Sequence, residues 1–107
     1  MPDLLKYAHV ERERRFLVRA VPAEVQESVR IVDRYVEGTR LRLREVRHPD
    51  GTVVRKLGHK VRLTEGPAEV ACTSLYLDDA EWELLSRLPA RVLTKTRHRV
   101  SRDGWDL

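Results

Sequence analysis

Glu11, Glu13 and Arg15 stand two residues apart, as do Arg40, Arg42 and Arg44, and then Lys95, Arg97 and Arg99 near the end of the chain. On a β-strand, side chains at that spacing share one face of the sheet. Lys56, Lys60 and Arg62 share a face in the same way, provided that no bulge near Gly58 shifts the register. Like charges aligned on a strand repel one another, and a bound anion with several negative oxygens removes the conflict. Guanidinium groups grip such oxygens through paired hydrogen bonds. Carboxylates in the same site need a hard cation between themselves and the anion, and Mg²⁺ or Mn²⁺ held by Glu11, Glu13 and phosphate oxygens meets that need. Any single ladder reads as the solvated face of an antiparallel sheet. The ladders taken together point to a metal-bound polyphosphate.

The rest of the chain must supply the strands. Its 107 residues make one domain with a modest core, 36% charged and 41% hydrophobic, which is a folded composition. The net charge of +4 favours an anionic partner without naming it. Cys72 is the single cysteine, so neither an intramolecular disulfide nor a cysteine-based zinc site forms from this chain. The N-terminal residues lack the apolar run of a signal peptide, and no stretch reaches membrane-spanning length. A soluble, cytoplasmic protein with no membrane partner is the expectation.

Polar and apolar residues alternate from Val10 to Val18, as in a strand. Pro22 fits the first turn of a short helix carrying Val25 and Val29 four apart. Ile31 to Val36 and Thr39 to Val46 are strand candidates joined by a tight turn at Glu37 and Gly38. His48, Pro49, Asp50 and Gly51 form a second turn, followed by a strand from Thr52 to Leu63. Thr64 to Pro67 breaks the pattern before a strand from Val70 to Leu77. Asp78 caps a helix, with Glu81 completing the capping box, and Trp82, Leu85 and Leu88 form its apolar stripe until Pro89. Arg91 to Val100 returns to strand, and a turn at Ser101 to Gly104 starts a hairpin whose second strand is missing. That leaves an open edge, which natural sheets cover or pair. The domain is expected to be truncated, or completed by a second copy or another chain.

Glu11-Arg12-Glu13-Arg14-Arg15-Phe16-Leu17-Val18 resembles the ExExK strand that opens the CYTH, or triphosphate tunnel, family, with Arg15 in the place of the motif's lysine. Leu41-Arg42-Leu43-Arg44 is similar to that family's paired-arginine strand, Lys60 to the lysine of its next strand, and Lys95-Thr96-Arg97 to its KxR. The resemblance runs through almost the whole chain. It implies an α+β fold: an antiparallel β-barrel, or tunnel, here partial, with two short covering helices, in one domain spanning residues 1–107 that lacks the family's C-terminal strands. It further implies that Glu11 and Glu13 hold Mg²⁺ or Mn²⁺, while Arg15, Arg42, Arg44, Lys60, Lys95 and Arg97 bind the phosphates. Arg40, Lys56 and Arg99 are lesser candidates on the same faces.

The activity implied is hydrolysis of inorganic tripolyphosphate or an organic triphosphate, with adenylate cyclisation ranking behind it. Missing C-terminal carboxylates would instead leave a polyphosphate-binding or nucleotide-binding module with little or no turnover. The charge balance also admits a basic nucleic-acid-binding domain, but few aromatic residues interleave with the basic ones, which counts against single-strand stacking. Cys72, Trp82 and Trp105 read as packing residues. His9, His48, His59 and His98 lack metal-ligand spacing. Glu69 is an open case, able to face the tunnel or to turn away from it.

Overall fold

The computed structural model describes residues 5–12, 20, 25–63, 69–102 and 105–106. Seven strands, β1 (His9–Arg12), β2 (Val25–Val36), β3 (Leu41–Arg47), β4 (Val53–Arg62), β5 (Glu69–Tyr76), β6 (Ala90–Arg102) and β7 (Trp105–Asp106), form one sheet in the order β1-β5-β4-β3-β2-β6-β7. All pairings are antiparallel. Helix α1 (Asp79–Leu85) joins β5 to β6. Among the described residues the sheet does not close on itself, since β1 and β7 occupy opposite ends of that order. The helix is also too short to cross a membrane, and no described helix is long and apolar enough to do so.

Two expectations about elements need correction. The short helix beginning at Pro22 and carrying Val25 and Val29 is absent where it can be judged: Val25–Val36 is one strand, and residues 21–24 lie outside the described set. A spacing of four is a multiple of the strand period as well as close to the helical one, so it does not discriminate. The β-branched residues Val29, Ile31 and Val32, with a partner strand available on each side, decide for the sheet. One helix rather than two is therefore present among the described residues. The tight turn expected at Glu37 and Gly38 is in fact a four-residue connection from Val36 to Leu41, with Gly38 at φ 73° and Thr39 Oγ1 accepting from the Leu41 amide at 3.0 Å.

Other elements follow their local chemistry. At the second turn the Gly51 amide donates to the His48 carbonyl at 3.0 Å, and Gly51 takes φ 90°, which its missing Cβ permits. Asp78 Oδ1 accepts from the Glu81 amide at 2.8 Å while Glu81 Oε1 accepts from the Asp78 amide at 2.9 Å, a complete capping box. A seven-residue helix with no buried residue depends heavily on that cap. Replacing Asp78 by alanine is expected to cost about 1 kcal/mol in urea denaturation, and a loss below a few tenths would show that the cap is redundant. The strand expected from Arg91 to Val100 extends to Arg102, and β7 provides a two-residue partner for Ser101 and Arg102. Along Ala90–Val100, β2 is the only partner among the described residues.

Among the described residues the buried apolar side chains are Ile31, Val36, Leu43, Ala71, Cys72 and Val100, drawn from both faces of the sheet. Glu45, on the face opposite the cationic ladders, accepts from Arg47 at 2.7 Å and from Arg55 at 3.0 Å. Arg55 also pairs with Asp79 and lies over the Trp82 ring, 5.6 Å from its centroid, which ties α1 to that face. Burial alone would raise the Glu45 carboxyl, but the hydrogen bonds and charges of Arg47 and Arg55 hold it below the ordinary carboxylate range.

Candidate functional site

Strand register assembles the site. Leu93, Asp33, Arg44, Lys56 and Tyr76 stand side by side in one row across the sheet, and Arg91, Tyr35, Arg42, Gly58 and Ser74 in the next. Directly paired residues share a face, so these rows lie on one surface. Lys60 is paired with Cys72, which is paired with His9, and Arg62 is paired with Val70, which is paired with Glu11. No register shift occurs at Gly58, so Lys56, Lys60 and Arg62 do share this face. Lys95 and Arg97 reach it from β6, opposite Ile31 and Val29. Leu43 alternates to the other side, as the period of two requires, while Leu41, at the start of β3, still borders the cavity described next.

A cavity of about 870 Å³ opens on this face. Arg42, Arg44, Lys60, Lys95 and Arg97 all line it, as do Glu11 and the lesser candidates Arg40 and Lys56. Tyr35, Leu93 and Ser74 supply neutral wall. Arg99 is separate: it borders a smaller cavity of about 220 Å³ and lies 3.8 Å from Glu27. Glu13 and Arg15 lie outside the described residues. Glu69 belongs to the opposite face, being adjacent in sequence to Val70, whose partner is Glu11.

Sequence patterning missed the residue that organises the cations. Asp33 is wholly buried, and Arg44 donates to it twice, Nε to Oδ1 at 2.7 Å and Nη2 to Oδ2 at 2.8 Å. Lys95 Nζ lies 3.4 Å from Oδ2, and Arg42 Nε lies 4.0 Å from Oδ1. Burial pushes the Asp33 carboxyl up, but the Arg44 hydrogen bond and the charges of Arg44, Arg42 and Lys95 outweigh it and hold the pKa below normal. Arg44 is shifted the other way, raised by its bond to Asp33. The available signal was an acid with Ile31 and Tyr35 two residues to either side, and so on its own face of the strand.

Arg42 differs from Arg44. Its Nε is buried and makes no hydrogen bond among the described residues, and burial, then the neighbouring Arg44 charge, lower its proton affinity. Lys95 is lowered by the same two causes in the same order. Both cations are thus held at a cost that an anion would relieve. Gly58 makes room for Arg42: a Cβ there would stand 3.5 Å from Nη2, so side chains longer than alanine's would compete for its space.

At the other end of the cavity Glu11 is half exposed, with Lys60 Nζ 4.0 Å away. The Cys72 thiol is raised by burial and by its hydrogen bond to Glu11, which suits a packing residue rather than a nucleophile. Among the described residues, no group of three or more His, Cys, Asp or Glu side chains is arranged to hold a metal ion. Asp33 is committed to Arg44, so Glu11 is the carboxylate on this cavity open to a cation. One carboxylate suits a hard divalent ion that completes its shell with ligand phosphates and water, and does not suit a closed all-protein site. No protein-family model, curated protein or solved structure matches this chain.

Proposed function

We propose that this chain is a metal-dependent triphosphate-binding protein of CYTH type that hydrolyses inorganic tripolyphosphate or an organic triphosphate. The observation that carries the reading is the convergence of Arg42, Lys56, Lys60, Lys95 and Arg97 from β3, β4 and β6 on one cavity that also receives Glu11 from β1. Linear polyphosphate presents closely spaced negative oxygens to such a wall, and guanidinium and ammonium donors match them. Glu11, with Glu13, would hold Mg²⁺ or Mn²⁺. When bound, such an ion polarises phosphoryl oxygens as a Lewis acid. The chain's own part is to bind and align the phosphates and to neutralise charge on the departing group as water replaces it at the terminal phosphorus. No nucleophilic side chain is needed.

Phosphate release from tripolyphosphate with Mg²⁺ or Mn²⁺ tests this, comparing the chain with Glu11→Ala and Glu13→Ala. Strong loss of turnover in both variants is expected, and equal rates in all three proteins would defeat the metal assignment. A binding module without turnover is favoured by one observation: Glu11 is the one carboxylate lining the cavity among the described residues. Calorimetric binding of tripolyphosphate with no phosphate release identifies that case.

A further inference from the structure

Asp33 carries the charge opposite to its neighbours on the cationic face, and being wholly buried it is out of reach of any ligand in the cavity. Its contacts form a graded series. Arg44 gives it two full hydrogen bonds, Lys95 stands at 3.4 Å, and Arg42 stands at 4.0 Å. Arg44 has therefore committed two donors to Asp33, whereas Lys95 and Arg42 keep donors for another anion. Without Asp33, three neighbouring cations on long side chains would repel and spread toward water.

We propose that Asp33 is the positioning residue of this site, a resident carboxylate that fixes Arg44 as a strut and holds Lys95 and Arg42 in place before a ligand arrives. The proposal rests on the polyphosphate reading of this face and divides its cations by task. Arg44 stays with Asp33, and Arg42 and Lys95 engage the ligand. Holding them ready removes part of the ordering cost of binding.

A charge-only role and a positioning role predict opposite signs. If Asp33 were merely a negative charge near an anion site, neutralising it would tighten binding. Asp33→Asn removes the charge and keeps the shape, and calorimetric titration of the full chain with inorganic tripolyphosphate is expected to show about a tenfold or greater loss of affinity. The preference for tripolyphosphate over pyrophosphate should narrow as well. Unchanged or tighter binding by folded Asp33→Asn overturns the proposal. Should that variant fail to fold, Asp33→Leu combined with Arg44→Met replaces the pair by apolar groups and carries the same expectation.

The rate at which an amine-reactive ester acylates Lys95, measured without ligand, isolates the positioning itself. Loss of Asp33 with Arg44 kept frees the amine and removes an interaction that raises its proton affinity, so faster labelling is expected in Asp33→Asn, whereas the double variant, which also loses the Arg44 charge that lowers the Lys95 proton affinity, is judged by calorimetry. Equal rates overturn the anchoring of Lys95. Failure of the unaltered chain to bind tripolyphosphate defeats the polyphosphate reading, and the Lys95 rate then judges Asp33 separately.

Discussion

Arg44→Met is expected to lower folding stability by about 3–5 kcal/mol, the cost of leaving a buried carboxylate without its partner. Asp33 is fully buried, the Arg44 side chain is 11% exposed, and two hydrogen bonds join them. Solvent cannot replace the lost donors, which separates this pair from exposed ones such as Arg87 with Glu83. The pH dependence gives an independent check. In the unaltered chain the Asp33 carboxyl lies below its ordinary value of 3.8, so its contribution is complete above that value and is lost as pH falls through the lower folded pKa. Without Arg44, burial dominates, the folded pKa rises, and the folded state binds the extra proton. Acidification should therefore narrow the gap between the two proteins. Urea denaturation at neutral and acidic pH measures both effects. A neutral-pH loss under about 1 kcal/mol, the range of an exposed pair, would mean that Asp33 finds another partner.

The second large effect is expected on affinity. Arg42→Ala should weaken tripolyphosphate binding by roughly 10–100-fold, since a hydrogen bond to a charged group contributes about 1.5–3 kcal/mol. Stability should change far less than in Arg44→Met, because Arg42 Nε makes no hydrogen bond and stands 4.0 Å from Asp33. Arg42→Lys should restore little, for an ammonium group cannot reproduce the planar fork. Calorimetry beside thermal melting separates the two arginines: one variant loses ligand and keeps its fold, the other loses its fold. Unchanged affinity in Arg42→Ala would remove Arg42 from the site.

The two arginines sit two residues apart in one strand, and periodicity treated them alike. Alternation reports which face a side chain joins, so the cationic ladders of Arg42 and Arg44, Lys56 and Lys60, and Lys95 and Arg97 were legible before any strand was placed. What alternation cannot report is which strand lies alongside. Asp33 becomes a partner for Arg44 only because β2 pairs β3 in the register Asp33 to Arg44. Val25 and Val29 misled for a related reason, their spacing satisfying two periods at once. The cap at Asp78 was readable because its hydrogen bonds close within four residues. Glu13 and Arg15 lie outside the described residues, so the acidic end of the site rests on Glu11.

Among the described residues β1 enters the sheet through β5 alone, yet Glu11 on β1 borders the same cavity as Lys95 and Arg97 on β6, across four intervening strands. At about 4.8 Å between neighbouring strands, only a curled sheet brings those side chains to one space. A ligand touching both ends would act as a tie-rod across the mouth of the curl, resisting its opening without adding a backbone hydrogen bond. Amide exchange along β1 would then slow on saturation although no atom of β1 had gained a new strand partner.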